Sequence, residues 1–238
     1  MIEKVKENLE IVVAEPYTDV VRSYEQYCAA AKALDVVGDR WTLLIVRELL
    51  LRQPCRYTDL QFGLPGIATN LLADRLRQLE EQGVIAREAA PPPVATTLFR
   101  LTPRGEALRP VLMALGEWGS PLLRETGPDA VFRSHWLAWP LERRLVDHAP
   151  DRPPVTIEIR TADQPVLLRT VGGRVSVRPG TAERPDATVS GPPPVVIELL
   201  TGAIDLETAR AQGLVFEGDP AVLARVAPDP DLAAEPIR

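Results

Sequence analysis

The stretch from Tyr57 to Gly83 constrains the fold more than any other part of the chain. It reads as a short helix around residues 58–62, a tight turn at Leu64-Pro65-Gly66, and then a longer helix, IATNLLADRLRQLEEQG. In that longer helix Ile67, Leu72, Leu76 and Leu79 share one face, while Thr69, Asn70, Ala73 and Arg77 lie largely on the other. Gly83 ends it, as a residue just beyond a helix C-cap often does. Two helices joined by a Gly-bearing turn form a helix-turn-helix pattern. Helical bundles with no nucleic-acid role show the same pattern, so shape alone leaves both readings open.

The flanks extend the pattern. Tyr24 to about Val37 (YEQYCAAAKALDVV) predicts a helix stopped by Gly38, with Asp39 as N-cap of the next. That next helix, WTLLIVRELLL, is apolar almost all round and so belongs in a core. Beyond Gly83, VIARE and TTLFRLT read as paired strands around the loop AAPPPVA, and Pro103 opens a helix through Leu108 to Trp118, kinked at Pro110. Gly127–Asp129 marks a boundary.

A second region follows. SHWLAWPLERRLVDHA predicts a helix with Trp136, Trp139 and Leu145 to bury. VTIEIRT alternates, with Val155, Ile157 and Ile159 on one face of a half-buried strand. VLLRTVGGRVSVR is a hairpin turned at Gly172-Gly173, and DATVSG is a further strand. VVIELLTG and LETARAQG are short helices, LVFEGD a last strand, and PAVLARV a final helix. The expected fold class is α+β: a winged helix-turn-helix, then a smaller antiparallel sheet with helices on one face. The expected divisions are an extension over 1–20, a winged helix over 21–126, a second domain over 130–228, and a loose tail over 229–238.

Charge decides little by itself. The net charge of −6 opposes phosphate binding, yet residues 21–125 carry 13 Lys or Arg against 12 acidic residues, a local balance of +1. Two cysteines are too few for a disulfide scaffold, no apolar run is long enough for a membrane span, and the N-terminus lacks a signal-peptide pattern. A cytoplasmic protein with no membrane partner is expected. His135 and His148, the only histidines, belong to no triad or metal spacing and are expected to be solvated; there is no phosphate-cradling Gly motif. Neither catalysis, nor a metal, nor a cofactor is expected.

If the second helix enters a major groove, its first turn must reach base edges. Thr69 and Asn70 stand there, and Asn pairs bidentately with adenine. Arg77 suits guanine or a phosphate. Arg75 lies nearer the buried side, as a phosphate clamp or in an internal salt bridge with Glu48 or Asp74. Arg56 and Thr58, at the start of the short helix, and Arg87 and Arg100, flanking the wing, complete the candidate DNA-binding set.

GDRWTLLIVREL, RYTDL, GIATNLLADRLRQLEEQGVI and LTPRG with a trailing WG together resemble the HxlR-type winged-helix regulators of bacteria, over about residues 24–120. The resemblance implies a homodimer joined by helices at both ends of the domain, binding a near-palindromic double-stranded operator to regulate transcription. The wing loop AAPPPVATT lacks the charge usual in that family, which implies weaker minor-groove contact. Cys28 stands where many members carry a cysteine, sometimes a redox sensor. The residues around it show no thiolate-favouring group beyond Lys32, and a buried packing role is the default for Cys28 and Cys55 alike.

DATVSG before a helix, LLTG with an acidic turn, and the closing LVFEGDPAVLARV resemble the sterol carrier protein-type fold. That resemblance implies an apolar small-molecule effector held by Trp136, Trp139, Val196, Leu199, Leu200, Ile204, Leu214 and Phe216, residues that could as easily fill a solid core. A ligand-responsive regulator is the leading expectation. An enzyme or carrier on a borrowed scaffold and a ligand-independent DNA binder are the alternatives.

Overall fold

The computed structural model describes residues 23–90, 96–127 and 129–230, and the chain divides into two compact units, Met1–Asp39 and Arg40–Arg238. The expected extension over 1–20, the wing tip and the last eight residues lie outside the described residues.

In the first unit, helix α1 spans Ala29–Val37. It starts five residues later than the Ala-rich pattern predicts, because Glu25 takes a left-handed φ of 52°. The Asp35 carboxylate then holds the lead-in segment, accepting from Tyr24 N–H at 2.8 Å and Ser23 Oγ at 2.9 Å.

The second unit opens with α2 (Thr42–Arg52), whose N-cap is Trp41 at φ 79°, not the expected Asp39. The left-handed turn at Trp41 makes Trp41, two residues after Asp39, the residue that precedes the first helical turn. Next come β1 (Cys55–Arg56), α3 (Tyr57–Gly63) and α4 (Thr69–Glu81), then β2 (Ile85–Ala89) and β3 (Thr97–Leu101). The three strands form one antiparallel sheet ordered β1-β3-β2, with Arg87 opposite Phe99. Ile45, Leu49, Leu60, Leu64, Leu72, Leu76, Leu79 and Ile85 are fully buried between these elements. Each contributes about 1.5–3 kcal/mol of transfer free energy.

The helix expected from Pro103 through Trp118 is two helices, α5 (Pro103–Glu106) and α6 (Arg109–Gly119). Pro110 lacks an N–H and crowds the preceding turn, so it stands in the first turn of a new helix and does not kink an old one. A 3-10 segment, Ser120–Glu125, follows.

The C-terminal region starts with a 3-10 turn, Ser134–Leu137, and α7 (Ala138–Arg144). The predicted helix stops there: Leu145–Asp147 is a strand, β4. Strands β5 (Thr156–Arg160), β6 (Val166–Val171), β7 (Arg174–Pro179) and β8 (Ala187–Ser190) follow, the β6–β7 turn using Gly172 and Gly173 at positive φ as expected. Then come α8 (Pro193–Leu200), α9 (Leu206–Ala211), β9 (Val215–Gly218), α10 (Ala221–Arg225) and a further strand, β10 (Val226–Pro228). LVFEGD is therefore not the last strand.

The sheet is seven-stranded, ordered β10-β4-β7-β6-β5-β8-β9. It is mixed and not antiparallel throughout, since β5 and β8 run parallel with Ile157 opposite Ala187. At one edge β10 pairs with β4, and Arg225 staples them by donating to both Asp147 oxygens at 2.7 Å. That pairing holds Leu145–Asp147 extended against a helical sequence pattern.

Candidate nucleic-acid interface

Helix α4 divides as its sequence predicts. Leu72, Leu76 and Leu79 are buried with Ile67 just ahead of them, while Thr69, Asn70, Ala73 and Arg77 are exposed. Its N-terminus is fixed from α3: Tyr57 Oη donates to the Thr69 carbonyl at 2.7 Å, and Thr69 Oγ1 donates to Asn70 Oδ1 at 3.2 Å. Two polar side chains are thus held together on the first exposed turn of a rigid helix, the geometry that base-edge reading requires.

Arg56 and Thr58 are exposed at the start of α3, where the Asp59 carboxylate caps the helix by accepting Arg56 N–H at 2.8 Å. The other candidate arginines carry carboxylate partners. Arg77 bonds Asp74 at 2.9 Å, Arg87 bonds Glu80 at 2.7 Å, and Arg100 bonds Glu88 at 3.2 Å, all on the surface. Exposed pairs of this kind are worth about 0–1 kcal/mol, so a phosphate can take over such an arginine at little cost. Arg75 differs: it is buried and donates to Gln78 Oε1, which keeps its guanidinium on the inner side of α4.

The eight residues expected to hold an effector lie in the C-terminal region. Val196, Leu200, Leu214 and Phe216 are buried in its hydrophobic core, with Leu199 and Ile204 partly buried against it. Trp136 and Trp139 are half-buried. A cleft of about 400 Å³ lies elsewhere, lined by Leu51, Arg52, Gln53, Cys55, Asp59, Arg178 and Pro179.

The two cysteines differ. Cys55 is buried, and burial pushes its thiol up to about 12. Cys28 is exposed at the start of α1, and the backbone N–H groups of Ala31 and Ala30 hold its thiol below the ordinary range. The default of a buried packing role for Cys28 is corrected, since the residue is exposed. The signal for its lowered thiol was its place at a helix N-terminus, where N–H groups stabilise a thiolate.

Sequence reasoning missed one constellation. His135, expected on the surface, is buried, and its Nε2 lies 2.7 Å from Glu48 Oε2. Trp136 Nε1 donates to Glu48 Oε1 at 2.8 Å. Burial raises the Glu48 carboxyl, but the His135 hydrogen bond and the Arg47 charge outweigh it and hold the group below its ordinary range. The available signal was the single acid in TLLIVRELLL, since a charge on an apolar helix must find partners.

Two helices that bury a shared leucine core, present a polar first turn and run into a two-stranded wing define a winged helix-turn-helix DNA-binding protein. Residues 36–126 match the HxlR-like helix-turn-helix family, and residues 153–228 match the SCP-2 sterol transfer family. The chain is 34% identical over 89 residues to the HTH-type transcriptional regulator YvaP of Bacillus subtilis, which is 37% of this chain and 82% of that one. It is 37% identical over 98 residues to an HTH-type transcriptional regulator of Synechocystis, 41% of this chain and 72% of its relative. The solved structure of the reduced form of the regulator YodB from B. subtilis overlaps 43% of this chain and 100% of its own at 26% identity, with a TM-score of 0.37. This chain belongs to the HxlR-like helix-turn-helix family and is an HTH-type transcriptional regulator carrying an SCP-2-type region behind its DNA-binding part. Among the described residues, no helix is long and apolar enough to cross a membrane.

Proposed function

We propose that the chain acts as a homodimer that reads a near-palindromic operator with α4 and adjusts its affinity to an apolar small molecule taken up by the C-terminal region. The observation that carries the reading is the exposed, locally fixed pair Thr69 and Asn70 above a buried leucine face. Arg77, Arg87 and Arg100 supply phosphate contacts by leaving their surface carboxylates, and Arg56 and Thr58 flank them from α3. Dimer formation is supported by an apolar stripe: Val111, Leu115, Trp118 and Leu122 are all exposed at helical spacing along α6 and the turn after it. Effector uptake is supported by the SCP-2-type match, with Leu199 and Ile204 as the half-buried residues through which the apolar core would open. Catalysis has no part in this reading, and His135 is already engaged by Glu48.

Rounds of selection from random-sequence duplex DNA followed by gel-shift titration test it. The expected result is a selected site with two half-sites about one duplex turn apart and an affinity that falls steeply with salt. Enrichment of no site, or salt-independent binding, would remove α4 from the role. Palmitate, tested as the probe, should raise thermal stability, by about 2.7 kcal/mol at one hundred times its Kd.

A further inference from the structure

The carboxylate of Glu48 has no exposed surface, and side chains from two distant parts of the chain converge on it. Oε1 accepts from Arg47 Nη2 at 2.7 Å and from Trp136 Nε1 at 2.8 Å. Oε2 accepts from Arg52 Nη2 at 2.8 Å and lies 2.7 Å from His135 Nε2. Both arginines also grip α3: Arg47 donates to the Gly63 carbonyl at its end at 3.2 Å, and Arg52 to the Asp59 carbonyl in its first turn at 2.8 Å. The approach is so close that a Cβ on Gly63 would stand 1.9 Å from Glu48 Oε2.

The C-terminal side adds three more contacts to the same place. Arg133 donates to the Phe62 carbonyl at 3.1 Å and covers the Phe62 ring at 4.2 Å, while the Arg47 guanidinium lies 4.4 Å from the centre of the Trp136 ring. A buried ionic cluster is a poor source of stability compared with apolar packing. This one joins α3, whose last residue directly precedes the turn that leads to α4, to the segment that opens the C-terminal region.

We propose that Glu48 is the junction through which the C-terminal region biases the DNA-reading helices: His135 and Trp136 position the carboxylate, and the carboxylate with Arg47 and Arg52 sets the end of α3 and hence the first turn of α4. Glu48, His135 and Trp136 are positioning residues and touch no DNA. The inference rests on α4 as the DNA-reading helix. It deepens that reading by naming the path between the chain's two functions, and coupling between sites must be reciprocal. DNA bound at α4 must therefore be felt at Trp136.

The test uses the full chain with ¹⁵N-labelled tryptophan, the indole signal of Trp136 being identified by Trp136→Phe. Saturation with the selected duplex is expected to move that signal. Trp136→Phe is expected to change duplex affinity fivefold or more while leaving the preferred sequence unchanged, within the usual range of coupling. Should Trp136→Phe fail to fold, Arg133→Ala removes the Phe62 contacts and takes its place in the affinity measurement. An unmoved Trp136 signal at saturation, or an affinity within twofold of wild type, overturns the junction while α4 keeps its role. Absence of duplex binding by the wild-type chain overturns the α4 reading, and the junction with it.

Discussion

Replacing Glu48 by Gln changes no volume and removes one charge, so its effect can be worked out from the donors around it. One side of the carboxylate serves Arg47 and Trp136, the other Arg52 and His135. A glutamine presents an oxygen to one side and an NH₂ to the other, so the amide leaves either Arg47 and Trp136 or Arg52 without its acceptor, whereas a neutral His135 can accept from the NH₂. A buried orphaned donor costs about 1–3 kcal/mol, and a buried pair broken by loss of one partner costs about 3–5 kcal/mol. The two routes meet at about 3 kcal/mol of lost stability. With a urea m-value of about 1–3 kcal/mol/M, the unfolding midpoint of E48Q at neutral pH should fall by about 1–3 M, read by tryptophan fluorescence. The pH dependence follows from the direction of the Glu48 shift. Its folded carboxyl titrates below the ordinary range, so its stabilisation is complete above that range and is lost as pH falls through the folded value. Wild type and E48Q should therefore converge in acid. A midpoint change under about 0.3 M at neutral pH would refute the reasoning, because it would mean that the donors find water without strain.

Thr69→Ala combined with Asn70→Ala should abolish sequence preference in gel shifts and leave the urea midpoint unchanged, since both side chains are exposed. Leu76→Ala, at a site 1% exposed beneath the same helix, should lower stability by about 2–5 kcal/mol in the same unfolding assay. Asp147 is held down to about 2 by Arg225, so the staple between β4 and β10 persists until the pH approaches that value. Arg225→Met should move acid unfolding, followed by circular dichroism, to higher pH. Iodoacetamide at mildly alkaline pH should alkylate Cys28 quickly and leave Cys55 untouched in the folded chain, which peptide mass spectrometry reads directly.

Local periodicity made the helix-turn-helix legible. Leu72, Leu76 and Leu79 repeat at helical spacing, and the turn residues Leu64-Pro65-Gly66 and Gly172-Gly173 carry their own conformational signals. Features set by distant partners were not legible. Leu145–Asp147 continues a helical pattern, but pairing with Val226–Pro228, some eighty residues later, draws it into the sheet. The parallel match of β5 and β8 arises the same way, from a neighbour on the far side of a hairpin. His135 resembled a surface histidine because nothing within a turn of it is acidic; its partner is 87 residues away. At Trp41 a positive φ moved a helix start that capping preference placed at Asp39, and at Glu25 one interrupts the Ala-rich pattern that placed a start at Tyr24.

The outer rims of the seven-stranded sheet bear on how this molecule behaves when crowded. One rim is β10, only Val226–Pro228, ending in a proline that has no N–H to offer. The other is β9, Val215–Gly218, where Glu217 and a glycine at φ 120° interrupt any long flat run. Neither offers a template long enough for a stranger's strand to dock. Open-ended stacking of intact chains through these two rims is thus disfavoured.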